Sequence, residues 1–284
     1  RVNKHIMANK VNYILDADIK GFFDNIDHDW MIKFLEHDIA DKNFIRYIKR
    51  FLIGGIMEDG KRLATDSGTV QGGLISPVLA NVYLHYVLDT WFDYVKKHEF
   101  KGEMYMVRYA DDFVCLFQYE KEAQKFYQLL IERLKKFGLE IAEDKSRILP
   151  FGRYRGTKES FDFLGFTHYN AKSHWSKYCV LHRTSKKKLK MKREAIKKWL
   201  WERMHESIMD TIKALNVKLT GHYRYYGIYG NYVGLQKFYK YVLIELWKSK
   251  RRRDQTNWLT WKKYINILKI HPLECPKIYL NSAY

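Results

Sequence analysis

Two adjacent carboxylates, Asp111 and Asp112, interrupt an apolar run, Met104-Tyr-Met-Val-Arg-Tyr-Ala-Asp-Asp-Phe-Val-Cys-Leu-Phe117. The apolar flanks read as two short strands, so the acids fall where a tight turn belongs. Like charges at close range cost energy, and an apolar hairpin has no structural need for them at its tip. A divalent cation would relieve that cost. Aspartates held near one or two Mg²⁺ ions are how proteins catalyse phosphoryl and nucleotidyl transfer.

A second acidic segment, Asp16-Ala-Asp-Ile-Lys-Gly-Phe-Phe-Asp24, ends a strand predicted over 11–19. Side-chain alternation puts Asp16 and Asp18 on one face of it. A strand end bearing acid beside an Asp-Asp hairpin could hold two Mg²⁺ ions about 3.5–4 Å apart. Asp24 reads equally as a site residue or a surface acid, whereas Asp27 reads as a helix cap. Gln71-Gly-Gly-Leu-Ile-Ser-Pro77 precedes a helix, and its two glycines would let backbone approach a ligand closely.

The charge balance names a class of partner. Lys and Arg number 51 against 32 Asp and Glu, for a net charge of +19. A soluble chain this basic meets a polyanion. With 22 Tyr and 8 Trp it has stacking faces as well as phosphate-pairing cations, which suits nucleic acid. Cys115, Cys179 and Cys275 have neither metal nor disulfide spacing, which predicts a reducing interior. No apolar run approaches membrane-spanning length and no signal peptide is visible, so the expected location is cytoplasmic, with no membrane partner.

Helical periodicity is expected over 2–10, from Asp27 or Asp29 through Leu35, over 43–52 closed by Gly54-Gly55, from Ser76-Pro77 through Trp91, and over 120–137 closed by Gly138. Met57 to Thr65 reads as a hairpin turning at Asp59-Gly60, and Phe161 to Thr167 as one short strand. Near Thr184 the texture changes to Lys186-Lys-Lys-Leu-Lys-Met-Lys-Arg193 and then to Tyr-, Trp- and Arg-rich helical sequence. A domain boundary is therefore expected at about residue 183, giving domains 1–183 and 184–284.

The order and wording of these segments resemble the palm of reverse transcriptases, most nearly the proteins encoded by bacterial group II introns. Asp-Ile-Lys-Gly-Phe-Phe-Asp-Asn-Ile-Asp from Asp18 resembles motif A, Gln71 onward motif B, and Tyr109-Ala-Asp-Asp112 motif C. Glu143-Asp-Lys-Ser146 is similar to motif D and Phe163-Leu-Gly-Phe166 to motif E, the primer grip. Leu215-Asn-Val-Lys-Leu-Thr-Gly-His-Tyr-Arg-Tyr-Tyr-Gly-Ile228, Leu246-Trp-Lys and Arg251-Arg-Arg253 resemble the maturase (X) domain. The resemblance implies an α+β fold, a palm with antiparallel sheet and packed helices, followed by an α-helical thumb and maturase domain.

It also implies roles. Asp18, Asp111 and Asp112 would hold a two-Mg²⁺ site, with the Ile19 carbonyl assisting, and Lys145 would act as general acid toward pyrophosphate. Phe23 would exclude a 2′-hydroxyl, and Gln71 would contact the incoming nucleotide or the template strand. Tyr109, with Phe163, Leu164 and Gly165, would meet the primer. Lys186, Lys187, Lys188, Lys190, Lys192 and Arg193 would track phosphates from the thumb. Tyr223, Arg224, Tyr225, Arg251, Arg252 and Arg253 would bind RNA. The implied function is RNA-directed DNA synthesis from dNTPs on an RNA template and a DNA primer or target, coupled to binding of group II intron RNA and assistance to its splicing, in a bacterial cytoplasm and on the nucleoid when acting on DNA. Three rivals remain open: an RNA-binding maturase whose palm is only scaffold, an RNA-templated RNA polymerase, against which Phe23 argues, and a host-domesticated reverse transcriptase. The family's fingers region is not matched ahead of motif A, so a truncation is expected, or a separate fingers chain. No zinc-bearing endonuclease is matched after Trp261.

Overall fold

The computed structural model describes residues 1–53, 56–58, 61–63, 68, 75–155, 158–173, 176–252 and 259–280. The chain divides into two compact units, Arg1–Glu159 and Ser160–Tyr284. The first comprises α1 (Val2–Ala8), β1 (Tyr13–Ala17), α2 (His28–Asp38), α3 (Lys42–Ile53), β2 (Ile56–Glu58), β3 (Lys61–Leu63), α4 (Ser76–Leu84), α5 (Thr90–His98), β4 (Met104–Tyr109), β5 (Asp112–Phe117), α6 (Glu120–Lys136) and β6 (Arg147–Pro150). Its main sheet is antiparallel with strand order β4-β5-β1-β6.

Alternation decides which face of that sheet is covered. Tyr13, Leu15 and Ala17 of β1 and Phe113, Cys115 and Phe117 of β5 enter one apolar core with residues of α2 to α6. Asp27 caps α2, its carboxylate accepting the Trp30 N–H at 2.9 Å, as the sequence predicts. Gly138 follows α6 at φ 72°, the left-handed position that ends a helix at little cost to glycine. The helix expected from Ser76 through Trp91 does form, but a π-helical segment, His85–Asp89, separates α4 from α5. The expected helix stop at Gly54-Gly55 and the expected turn at Asp59-Gly60 lie outside the described residues, although β2 and β3 pair as hairpin arms.

The second unit opens with a three-stranded antiparallel sheet, β7 (Ser160–Phe163), β8 (Phe166–Lys172) and β9 (Tyr178–Thr184). Helices α7 (Lys186–Glu202), α8 (Ile208–Tyr226), α9 (Tyr232–Arg252) and α10 (Trp261–Ile270) follow. The single strand expected over Phe161 to Thr167 is instead a hairpin. Leu164 and Gly165 both take positive φ, 50° and 78°, and make a two-residue turn between the paired Phe163 and Phe166. The two compact units part after Glu159, ahead of the domain boundary expected at about 183, and the sheet is grouped with the helices that follow it. The Asn231 side chain bonds the Thr184 N–H at 2.9 Å and its hydroxyl at 2.8 Å, and Phe166 packs against Tyr225 and Tyr226.

Candidate active site and nucleic-acid surface

The site follows from strand register. Ala17 lies opposite Phe113, so one further step brings Asp18 beside Asp112, the first residue of β5. Tyr109 pairs with Asp112 to close the β4–β5 hairpin, leaving Ala110 and Asp111 as its turn. Since Ala17 and Phe113 face the core, alternation sends Asp16, Asp18 and Asp112 to the opposite face. The Asp18 N–H donates to Ser146 Oγ at 3.3 Å, and its carbonyl accepts the Ala142 N–H at 2.8 Å. Ile19 bridges Ile141, and the two bonds around that bridge, Ala142 N–H to Asp18 and Lys20 N–H to Glu140, leave the Ile19 carbonyl unused by it. The same turn carries Lys145, whose Nζ lies 3.2 Å from Asp18 Oδ2. Asp18, Ile19, Asp111, Asp112 and Lys145 thus gather at one end of the sheet.

Among the described residues no group of three or more His, Cys, Asp or Glu side chains is gathered for a metal ion. Mg²⁺ does not demand one. It is commonly held by one or two carboxylates, water and substrate phosphates, not by an all-protein cage. Two neighbouring carboxylate positions with a spare main-chain carbonyl are hard oxygen donors of that kind. A cation, the Lys145 ammonium, already sits on one of them. The donor set fits Mg²⁺ shared with a phosphate ligand.

Phe23 lies in a short 3₁₀ turn, Phe22–Asp24, entered by Gly21 at φ 52°. Gly68 presses on this turn: its N–H donates to the Ile26 carbonyl at 2.8 Å, and a Cβ there would stand 2.8 Å from the Asp24 carbonyl oxygen. The half-buried Phe23 ring lines a cavity of about 830 Å³ with Asn81, Asp89, Tyr105, Arg108 and Tyr109. Tyr109 is 68% exposed and is therefore no core aromatic. Gln71 lies outside the described residues.

Arg108, which the sequence motifs leave without a role, holds the acidic turn. Its Nε donates to Asp89 Oδ1 at 2.8 Å, and its Nη2 makes a second, very short bond to the same carboxylate. Its Nη1 donates to Asn81 Oδ1 and to the Ala110 carbonyl, each at 2.9 Å. Asp89 ends the π-helical segment, whose carbonyls at Tyr86 and Val87 accept Arg133 Nη2 and Nε at 3.0 Å. The π turn shifts the helical register, and π turns are common at functional sites. The signal in the sequence was an arginine in an apolar strand, which needs a partner when buried.

In the second unit, Lys186, Lys187, Lys188, Lys190 and Lys192 are exposed on α7, and Ser185 caps the helix by accepting the Lys188 N–H. The first turn of α7 has no acid, so its cations crowd the positive end of a helix dipole. Arg193 departs from the expected phosphate-tracking row: it is half-buried, its guanidinium 5.2 Å from the centre of the Tyr241 ring. Tyr223, expected on the RNA-binding surface, is instead buried. At 1% exposure it packs among the helices, because α8 turns it inward with Leu219 and Tyr226. Arg224 and Tyr225 are exposed, and the Tyr225 hydroxyl donates to the Leu164 carbonyl at 2.9 Å. Phe163 is buried too, leaving Leu164 and Gly165 as the accessible part of that hairpin. Arg251 and Arg252 are exposed and lie over the Trp247 and Trp201 rings. Arg253 lies outside the described residues.

Residues 3–168 match the family described as reverse transcriptase (RNA-dependent DNA polymerase). The group II intron-encoded protein LtrA of Lactococcus lactis subsp. cremoris is 45% identical over 73 residues, 26% of this chain and 12% of that protein. An uncharacterized 91 kDa protein in the cob intron of Schizosaccharomyces pombe is 38% identical over 89 residues, 31% of this chain and 11% of that one. The chain thus covers about an eighth or less of these relatives. Among solved structures, telomerase from Candida albicans in complex with a fragment of telomeric RNA aligns with 90% of this chain and 49% of its own, at 14% identity and a TM-score of 0.46.

Proposed function

This chain belongs to the reverse transcriptase family, and from that premise we propose that it copies RNA into DNA as a group II intron-type enzyme. The observation that carries the reading is the meeting of Asp18 with Asp112 and the Ala110–Asp111 turn, with the Lys145 ammonium 3.2 Å from Asp18. Asp18 and Asp111, helped by the Ile19 carbonyl and supported by Asp112, would hold Mg²⁺. Bound there, the ions would activate the primer 3′-hydroxyl and stabilise the leaving pyrophosphate.

The chain's own groups do the rest. Lys145, with Nζ 3.2 Å from Asp18 Oδ2, is the proton donor for pyrophosphate. The Phe23 ring fills the space where a ribonucleotide would carry its 2′-hydroxyl, so dNTPs are the substrates. Gln71 contacts the nucleotide or template, and exposed Tyr109 meets the primer end. Leu164 and Gly165 present backbone to the primer strand. The α7 lysines, Arg224, Tyr225, Arg251 and Arg252 bind the RNA template and the intron RNA, whose phosphates relieve the crowding of cations at the α7 N-terminus. Through that RNA contact the protein acts as a maturase, in a cytoplasmic ribonucleoprotein.

The test is primer extension by the full-length protein on an RNA template with dNTPs and Mg²⁺, beside its Asp111→Asn form. Extension that falls by three orders of magnitude or more in the variant supports the reading. Extension unchanged in the variant removes Asp111 from the chemistry. No extension by either form, with intron RNA still bound, supports an RNA-binding protein whose palm is scaffold.

A further inference from the structure

Helix α3 carries an exposed surface that none of the site residues described above occupies. It reads Lys42-Asn-Phe-Ile-Arg-Tyr-Ile-Lys-Arg-Phe-Leu-Ile53 and buries Ile45, Ile48 and Leu52 at i, i+3 and i+7. The same spacing recurs on its outer side. Phe44, Tyr47 and Phe51 are 46%, 52% and 60% exposed, a row of rings about 10 Å long by helical rise. Leaving such rings in water forgoes the gain of burying them.

The exposed charges of this helix, Lys42, Arg46, Lys49 and Arg50, have one sign, and it contains no Asp or Glu. At about 100° per residue, Arg46 and Arg50 are the two that flank the ring row. The guanidinium groups of Arg46 and Arg50 both lie within 6 Å of the centre of the Tyr47 ring, at 5.9 and 5.8 Å. The nearest preceding acids are engaged elsewhere. Asp41 accepts the Asn43 and Phe44 N–H groups at 2.8 and 3.2 Å as a helix cap, and Asp38 accepts the Tyr86 hydroxyl.

A protein partner would have to bury these cations or match them with acids. A nucleic-acid strand answers both features at once, phosphates meeting the cations and base faces meeting the rings. Bases inside a duplex are already stacked and offer no free face. We infer that the outer face of α3 binds single-stranded nucleic acid, with unpaired bases stacked on Phe44, Tyr47 and Phe51. This is a binding activity and does not depend on the polymerase reading, so it is tested in an Asp111→Asn background.

Two probes are used, a fluorescein-labelled oligouridylate and a labelled RNA duplex of the same length, each titrated by anisotropy across a salt series. Replacing Phe44, Tyr47 and Phe51 together by Ser should weaken oligouridylate binding about tenfold or more, with duplex binding changed less than about twofold. Replacing Arg46 and Arg50 together by Gln should lower the salt slope for the oligouridylate by about 1.4. Photocrosslinking with a 4-thiouridine oligonucleotide should label the α3 peptide, a readout that binding elsewhere on the chain cannot mask. Labelling confined to other peptides overturns the inference, as does an equal loss on both probes. A self-associated protein that the serine variant dissociates, with oligouridylate affinity intact, overturns it in favour of a protein interface.

Discussion

The two hairpin turns, Ala110-Asp111 and Leu164-Gly165, meet one strain with different means. Each begins with a non-glycine residue at positive φ, 54° for Ala110 and 50° for Leu164. That conformation costs an L-residue about 1–2 kcal/mol. In each, the carbonyl of the strained residue accepts one side-chain hydrogen bond at 2.9 Å, from Arg108 in the first and Tyr225 in the second. The second turn puts glycine at its other position and uses a neutral phenol. The first puts Asp111 there, and its donor is a cation anchored to Asp89 and Asn81. A turn that presents backbone can be left to glycine. A turn that presents a carboxylate has no glycine to spare at that position, so it is held by a charged scaffold reaching into two helical segments.

Cutting that scaffold should have the largest effect. Arg108→Ala frees the Ala110 carbonyl and takes the guanidinium from half-buried Asp89, leaving it the His85 imidazole at 3.7 Å. A displacement of about 1 Å at reacting groups can cost on the order of 100-fold in rate, and kcat for primer extension should fall by about that factor with the KM for dNTP nearly unchanged. Urea unfolding should show a loss of about 2 kcal/mol, below the value for a fully buried pair because both side chains are partly solvated. Arg108→Lys should recover only part of kcat, since an ammonium cannot span Asp89 and the carbonyl as a fork does.

Acid should separate the two turns next. His168 on β8 faces His182 on β9 in register, and burial pushes these imidazoles down to about 3 and about 4. Burial among α8 and α9 pushes His222 to about 4. Folded values below the ordinary 6.5 mean that the unfolded chain binds these protons more readily. The stability they lend is full above about pH 6.5 and is lost as the pH falls toward 4. Hydrogen exchange should therefore quicken in β8 and β9 between those values while β4 and β5 keep their protection. Equal acceleration in both sheets would break the contrast.

The sequence was most legible where alternation alone decides position. Asp16 and Asp18 share a face, the apolar flanks of Asp111-Asp112 are strands, and Asp27 is a cap, because strand period and capping chemistry are local. The π segment was not legible, since Tyr83, Val87 and Trp91 keep an apolar stripe through it and the register shift adds no residue type of its own. Arg108 stood in plain view, but its partners Asn81 and Asp89 are 27 and 19 residues away. Tyr223 and Tyr225 are the same residue type two positions apart, on opposite sides of α8, and only the packing of α8 against its neighbours decides which one turns inward. Leu164-Gly165 is hidden in an apolar run that looks like one strand, and its turn shows only in the structure, where the Tyr225 hydroxyl bonds the Leu164 carbonyl.

Smaller substitutions test the strain directly. Gly165→Ala puts a Cβ at φ 78° and 3.0 Å from the Tyr226 hydroxyl, and should cost about 1–2 kcal/mol in urea unfolding. Ala110→Gly should act in the opposite direction and least of all. Glycine relieves about 1–2 kcal/mol of left-handed strain, but its freer unfolded chain returns about 0.5–1 kcal/mol of that. A net gain of about 0.5 kcal/mol is expected, read as a raised urea midpoint at unchanged slope. Primer extension should nonetheless slow severalfold, because a glycine turn restrains Asp111 less than alanine held on Arg108 does. In an Arg108→Ala background the same substitution should change the rate much less, since the restraint it loosens is already gone. A stability loss at Ala110→Gly would mean that the turn stores no strain and that Arg108 has nothing to hold.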